Sequence, residues 1–138
     1  MRLLVFLSTA AVVVSAASAS GGEPTLRTAG TSSGHVVVTF SPGELTPGEI
    51  AVATQATRNV NGGFVRENVR LLERVTAKVD PTTGVVRFRT RGRVAPGTYY
   101  VVVSGFLQEP PPSCFPISSR CTERWSNVRR VVARSRSP

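Results

Sequence analysis

Residues 85–103, which read VVRFRTRGRVAPGTYYVVV, decide the fold. In the first half an arginine stands at every second position from Arg87 to Arg93, and Val86, Phe88, Thr90 and Val94 occupy the alternate side. Strict alternation of apolar and charged residues predicts a strand with one buried face. Ala95-Pro96-Gly97 then turns the chain into a second strand, Thr98 to Phe106.

The rest of the chain repeats this pattern of short strands separated by turns. Further strands are predicted at residues 25–29, 35–40, 49–55 and 128–133, between turn segments rich in Gly, Pro and Asn. Residues 64–79 fit either a helical stripe or strands, and their valine content favours strands. About seven strands predict an all-β, two-sheet antiparallel sandwich over residues 24–134, with a frayed tail at 135–138.

One segment resembles the fibronectin type III family. Val94-Ala95-Pro96-Gly97-Thr98-Tyr99-Tyr100 followed by three valines is similar to that family's penultimate strand, and Tyr100 stands at its tyrosine-corner position. Phe40 resembles the family's core tryptophan, here replaced, and Ser126-Asn127-Val128 resembles the entry to its last strand. The resemblance implies a divergent bacterial member, or an immunoglobulin-like relative, with a binding or spacer role.

The N-terminus predicts export. Arg2, the apolar run Leu3 to Val14 and the small residues Ala17-Ser18-Ala19 form a signal peptide over residues 1–19, and an uncleaved anchor is the alternative. No later segment is apolar enough to span a membrane, so we expect no stable membrane insertion after cleavage. In a secreted, extracellular protein, the even count of cysteines predicts a disulfide between Cys114 and Cys121.

No residue pattern indicates catalysis, a cofactor or a metal. Gly30-Thr31-Ser32-Ser33-Gly34 matches G-x-S-x-G, but the only histidine, His35, begins the next strand and cannot complete a triad. One histidine and two cysteines make a poor metal site. Paired catalytic carboxylates are possible in principle, but spacing singles out no pair among Glu44, Glu49, Glu67, Glu73, Glu109 and Glu123. An enzyme is therefore the weakest class.

Two candidate binding surfaces remain. The first is the stripe Arg87, Arg89, Arg91 and Arg93, which suits an anionic envelope polymer because guanidinium groups bind phosphate and carboxylate bidentately. The alternative is that the stripe is a solvated face whose arginines pair with Glu67, Glu73 or Asp80. The formal net charge of +9 could likewise result from codon bias and not from function. Nucleic acid is not expected, since no aromatic stacking platform accompanies the stripe.

The second candidate surface is the loop 107–125. A disulfide-closed loop carrying Phe115, Ile117, Arg120 and Trp125 has the residue types of a recognition surface, although Phe115 and Trp125 could instead cap the core. These surfaces lead to three hypotheses: a non-catalytic interaction or adhesion module that binds an extracellular protein, a basic protein that holds anionic envelope polymers, and a protease inhibitor that presents Arg120.

Overall fold

The computed structural model describes residues 22–107 and 122–135. Within them the chain is all-β, with one short 3-10 helix, Arg66–Asn68. The eight strands are β1 (Thr25–Ser32), β2 (His35–Ser41), β3 (Thr46–Ala53), β4 (Val69–Arg74), β5 (Val86–Arg93), β6 (Gly97–Phe106), β7 (Glu123–Trp125) and β8 (Arg129–Ala133). In the described ranges no helix is long and apolar enough to cross a membrane.

The strands form two antiparallel sheets. One has the order β1-β2-β5, and the other has the order β4-β3-β6-β7, with β8 paired to β6 as well. Since β7 pairs with the last residues of β6 and β8 with the first, the two short strands share one edge. The all-β sandwich prediction is therefore confirmed, with eight strands in place of about seven, and the architecture is compatible with an immunoglobulin-like or fibronectin type III-like fold.

The core lies between the two sheets. The alternation in β5 is confirmed, because Val86, Phe88 and Thr90 are buried while the intervening arginines are exposed. Phe40 is fully buried, as predicted. Two core residues, Val75 and Val94, lie just after strands β4 and β5. Other apolar core side chains come from every strand except β7: Leu26, Val36, Val38, Ile50, Val52, Val101, Val103, Val131 and Ala133, with partly buried Leu71 packed against them.

The tyrosine corner is formed by Tyr99, so the assignment of that role to Tyr100 is wrong. The Tyr99 hydroxyl donates a 2.7 Å hydrogen bond to the Ala95 carbonyl, and its ring is buried in the core. Odd-numbered residues of β6 face the core from Tyr99 onward. Tyr100 therefore points to the outer side of its sheet, where it is only half-buried against a second apolar cluster.

Two predicted boundaries also differ from the structure. The strand expected at residue 49 begins at Thr46, because Pro47 and Gly48 enter the sheet through an irregularity between Pro47 and Ile50. A Cβ atom at Gly48 would lie 2.5 Å from the Ser104 hydroxyl, so the close approach requires glycine. The Gly30–Gly34 loop is mostly strand: β1 and β2 are joined by a two-residue turn with positive φ at Ser33 and Gly34.

The ambiguous segment 64–79 contains the strand β4 after the 3-10 helix, and no α-helix. This confirms the preference for strand over helix. Glu73 shows why a helical stripe fails here: both of its carboxylate oxygens accept backbone N–H groups of β5, from Arg91 at 2.8 Å and from Gly92 at 3.0 Å. Such bonds across the open edge between the sheets require β4 to be extended beside β5.

Side chains between β7 and β8 fasten β1 to the five-stranded sheet. Asn127 accepts the Leu26 N–H at 2.8 Å and donates to the Leu26 carbonyl at 3.1 Å, so its amide replaces a strand partner. Ser126 accepts the Val103 N–H at 3.0 Å on the other side. The segment that resembles the entry to a last strand therefore connects the two sheets at their shared edge.

Candidate functional site

The first candidate site is the arginine ladder, Arg87, Arg89, Arg91 and Arg93, on the edge strand of the three-stranded sheet. All four side chains are exposed on its outer face. They flank a row of β2 residues in which Thr39 pairs with Arg87 and Val37 with Arg89. Alternate residues of a strand are about 6.6–6.8 Å apart, so the ladder extends over roughly 20 Å.

The ladder is interrupted by one irregularity. The register between β2 and β5 shifts between His35 and Val37, so that three residues of β5 stand opposite one of β2. Thr90 stabilises this bulge: its hydroxyl accepts the Val36 N–H at 2.9 Å and donates to the Gly92 carbonyl at 2.7 Å. The bulge is therefore held in place by specific bonds, which fixes the spacing between Arg89 and Arg93.

Two acidic residues near the ladder make backbone hydrogen bonds. Glu73 binds the backbone of Arg91 and Gly92, and Asp80 accepts the Thr82 N–H of its own turn at 2.8 Å. Asp80 does line a shallow depression together with Arg27 and Arg87, so one carboxylate lies near one end. Among the described residues, no ion pair is formed by any guanidinium of the ladder.

The G-x-S-x-G segment has no catalytic geometry. Ser32 ends β1, His35 begins β2, and the two are partners in the hairpin register. The His35 Nδ1 atom lies 2.9 Å from the Thr90 carbonyl oxygen, which ties the ring to β5. The motif is the end of a hairpin.

The second candidate site lies on the opposite outer face, that of the five-stranded sheet. An outer-face cluster of Ala51, Ala53, Phe64, Val102 and Trp125 is buried there beneath the segment that follows β3. Beside it is a cleft of about 300 Å³, lined on its apolar side by Ala51, Phe64, Val69, Leu72 and Trp125. Leu72 is 50% exposed at this cleft, whereas Trp125 is only 7% exposed.

Two acidic side chains lie on this same face and form what we call the carboxyl pair, Glu49 of β3 and Glu123 of β7. Ser104 of β6 connects them: its hydroxyl accepts the Glu49 N–H at 2.8 Å and is hydrogen-bonded to the Glu123 carboxylate. The Trp125 indole N–H also bonds the Glu123 carboxylate. Glu123 lines the cleft.

Burial dominates the electrostatics of the pair. Glu49 is 5% exposed, and desolvation raises its pKa, an effect that the positive charge of Arg74 partly offsets. Desolvation raises the pKa of Glu123 to about 7, and the nearby charge of Glu49 adds to the increase, against the two hydrogen bonds. Within the described part of the chain, Glu49 Oε1 and Glu123 Oε2 are buried without a hydrogen-bond partner.

Sequence reasoning missed this pair. Its two members are far apart in the chain, and only the register of β3, β6 and β7 brings them to one face. A signal was available in Ser104, because a serine directly after three valines in an apolar strand is an unusual buried polar residue that needs partners.

The predicted binding loop is only partly described. Trp125 is a buried member of the outer-face cluster, and the Gly63 backbone packs against its ring. Phe115, Ile117, Arg120 and the predicted Cys114–Cys121 disulfide lie outside the described residues, as does the predicted signal peptide. In the described ranges no three His, Cys, Asp or Glu side chains are grouped so as to hold a metal ion.

Comparison with known proteins adds no assignment. No protein-family model matches the chain, and no curated protein matches it. The function must therefore be argued from the two outer faces themselves.

Proposed function

We propose that this chain is a non-catalytic, secreted sandwich domain of the fibronectin type III type whose arginine ladder binds an anionic polymer of the cell envelope. The observation that carries the proposal is that four exposed guanidinium groups follow one another along a strand without an ion pair among the described residues. Guanidinium groups without an ion pair leave their donors available to an anionic partner.

The fold type is supported by two features. The strand order β1-β2-β5 facing β4-β3-β6-β7 places consecutive strands as in sandwiches of this class. Tyr99, which precedes the valines of β6, makes the bond to a backbone carbonyl four residues upstream that defines a tyrosine corner. A fold of this kind supports binding roles of many sorts, so the partner must be inferred from the surface.

The partner class follows from the chemistry of the ladder. A guanidinium group presents a planar set of donors that matches phosphate and carboxylate oxygens. Each exposed contact is weak by itself, about 0–1 kcal/mol, so a single anion would not be held. A polymer that repeats its negative charge can engage several arginines at once, and the second contact then forms within the same complex. The ladder therefore favours a phosphate- or carboxylate-bearing polymer over a small anion.

The test compares two variants with equal charge. In the ladder variant, Arg87, Arg89, Arg91 and Arg93 are all replaced by Gln, and in the control variant four scattered exposed arginines, Arg70, Arg124, Arg130 and Arg134, are replaced by Gln. Both are applied to immobilised polyphosphate and polyglutamate and eluted with salt. We expect the ladder variant to elute at clearly lower salt than the control, because only it loses a contiguous site. Equal elution of the two variants would show that net charge alone causes retention and would refute the proposal.

A further inference from the structure

The arginine ladder ends at a shallow depression on the outer face of the three-stranded sheet. The depression has a volume of about 470 Å³, which is within the roughly 300–1,000 Å³ of small-molecule sites. Strands β1, β2 and β5 and the turn that precedes β5 supply its polar lining: Arg27, Thr28, Thr39, Asp80, Thr83 and Arg87. The first arginine of the ladder is therefore also part of a concave site, which the other three are not.

An irregularity in β1 brings two of these side chains to the same face. The register of β1 against β2 shifts between Leu26 and Thr28, and Arg27 is the extra residue. In a regular strand Thr28 would face the core as Leu26 does, but with the extra residue both Arg27 and Thr28 are exposed. Thr28 then stands opposite Thr39, which stands opposite Arg87, so the three form one row across the sheet.

The hydrogen-bonding groups of this row are only partly used. Arg27 Nε donates to the Ser41 hydroxyl at 2.6 Å, which orients the guanidinium group, and its two terminal nitrogens have no partner in the described ranges. The hydroxyl oxygens of Thr28 and Thr39 lie 2.6 Å apart, so one hydroxyl donates to the other. The second hydroxyl keeps its hydrogen for a ligand. The row therefore presents one oriented guanidinium group and one hydroxyl donor beside Arg87.

The turn before β5 forms the rim of the depression and is ordered by its own hydrogen bonds. The Asp80 N–H donates to the Val85 carbonyl at 3.0 Å, and Asp80 Oδ1 accepts the Thr82 N–H at 2.8 Å. Gly84, with a φ of 72°, donates its N–H to the Asp80 carbonyl at 2.8 Å. Asp80 Oδ2 makes no hydrogen bond to any described residue. A rim that is ordered before binding loses little entropy when a ligand arrives.

These groups suit a ligand that combines one anionic group with several hydroxyl groups. The guanidinium groups of Arg27 and Arg87 match the oxygens of a carboxylate or a phosphate. Asp80 repels a further negative charge brought close to it, but its carboxylate accepts hydrogen bonds from neutral hydroxyl groups. A sugar ring that bears one acidic group has this combination of groups. Polyphosphate and polyglutamate have the charge without the hydroxyl groups.

We propose that the depression binds an acidic sugar, a ring that carries a carboxylate or a phosphate, and that the polymer bound by the ladder is an acidic polysaccharide. The anionic group lies between Arg27 and Arg87, and the ring hydroxyl groups meet Thr28, Thr39 and Asp80. The next arginine of the ladder then contacts the adjoining unit of the polymer. The identity of the polymer rests on the proposed function of the ladder, whereas the binding of a single acidic sugar does not.

The binding of a single sugar is tested by NMR titration with galacturonate and with galactose 6-phosphate, followed through the backbone amide signals of Thr28 and Thr39. Neutral galactose, acetate and inorganic phosphate are the controls, since each has only one part of the ligand's chemistry. We expect saturable shifts with at least one acidic sugar, at an affinity about fivefold or more above every control, and the tighter of the two sugars identifies the acidic group. The absence of saturable shifts, or equal affinity for a control, would overturn the proposal.

The identity of the polymer is tested with two variants that leave the charge unchanged. The hydroxyl variant combines Thr28→Val with Thr39→Val, and its matched control combines Thr57→Val with Thr98→Val, at exposed positions outside the depression. Valine keeps the branched shape of threonine and is favoured in strands. Binding is measured at one fixed salt concentration to polygalacturonate and to polyglutamate. If the titration favours phosphate, phosphorylated dextran and polyphosphate take their place.

We expect the original protein and the matched control to bind the acidic polysaccharide about fivefold more tightly than the polymer without sugar. The hydroxyl variant should lose this preference and bind the polymer without sugar as before. A hydroxyl variant that keeps the preference would refute the sugar site and leave the ladder standing. If replacing the four ladder arginines by Gln weakens binding to both polymers no more than replacing the four scattered ones, the ladder is refuted, and the titration with single sugars still decides the depression.

Discussion

The two outer faces of the sandwich place their charged side chains in opposite environments, one exposed to water and the other buried. The face of the three-stranded sheet carries four arginines in water, where each retains its hydration and ordinary conformational freedom. The face of the five-stranded sheet buries Glu49 and partly buries Glu123 beside an apolar cluster. Exposed charges cost little and contribute little until a partner arrives, whereas buried charges change the stability of the fold itself. The first face is therefore suited to weak, multiple contacts, whereas the charges of the second act on the stability of the fold.

The largest difference between the faces should appear on removal of an apolar side chain. Trp125→Ala should destabilise the protein by about 3 kcal/mol, because it empties the outer-face cluster. Val37→Ala, at a position 37% exposed on the ladder face, should cost less than about 1 kcal/mol. Urea denaturation of both variants gives the comparison. Equal losses would show that the outer-face cluster contributes no more than ordinary surface.

The next effect distinguishes the two sides of a single strand. Tyr99→Phe should lower the stability by about 1–2 kcal/mol, since it leaves the Ala95 carbonyl without its 2.7 Å bond. Tyr100 lies on the outer side of β6, where its hydroxyl makes no described hydrogen bond. Tyr100→Phe should therefore change the free energy of unfolding by less than about 0.5 kcal/mol. Thermal melts of the two variants are sufficient. A larger loss of stability for Tyr100→Phe than for Tyr99→Phe would show that Tyr100 forms the tyrosine corner.

A smaller effect tests the carboxyl pair through pH. Because the pKa of Glu123 is raised in the folded protein to about 7, the folded state holds its proton more tightly than the unfolded chain does. Its contribution to stability is thus fully present below about pH 4.5 and is lost as the pH rises to 7 and above. We expect Glu123→Gln to be more stable than the original protein at pH 8, and this advantage to disappear at pH 5.

The matched variant for this measurement is Glu44→Gln, which changes an exposed carboxylate. It should follow the original protein at both pH values. If Glu123→Gln and Glu44→Gln show the same pH dependence, the carboxyl pair is not desolvated in solution.

The smallest effect is expected on the ladder face. Single Arg→Gln changes at Arg87, Arg89 or Arg93 should each alter the free energy of unfolding by no more than about 0.5 kcal/mol, since these side chains are exposed and form no described ion pair. Chemical denaturation tests this directly. A loss above 1 kcal/mol would indicate that the ladder stabilises the sheet, which would weaken its assignment to a partner.

How far the sequence predicts these faces depends on how local the information is. The alternation of Val86, Arg87, Phe88 and Arg89 specifies both sides of β5, because side-chain direction in a strand alternates residue by residue. Tyr99 and Tyr100 are adjacent and are followed by three valines, so alternation alone cannot say which tyrosine faces the core. That choice depends on the position at which β6 begins.

The carboxyl pair shows what local patterns cannot supply. Glu49 lies within an irregularity between Pro47 and Ile50 that shifts the register of β3 against β6, and one residue of shift moves a side chain to the other face. Sequence alternation did not reveal this irregularity. The meeting of Glu49 with Glu123 therefore became evident only when three strands were aligned.

The connection between Leu26 and Asn127 has a mechanical consequence. Bonds run from Leu26 to Asn127 and Arg129, and from Thr31 to the Val132 carbonyl at 2.9 Å, so β1 and the last strand lie side by side and point the same way. Tension applied to the two ends of the domain would slide these strands past each other instead of peeling them apart. The bonds would then share the force and break together, and resistance to forced unfolding depends on that barrier. A domain tethered at one end and pulled through a polymer at the other would gain strength from this arrangement.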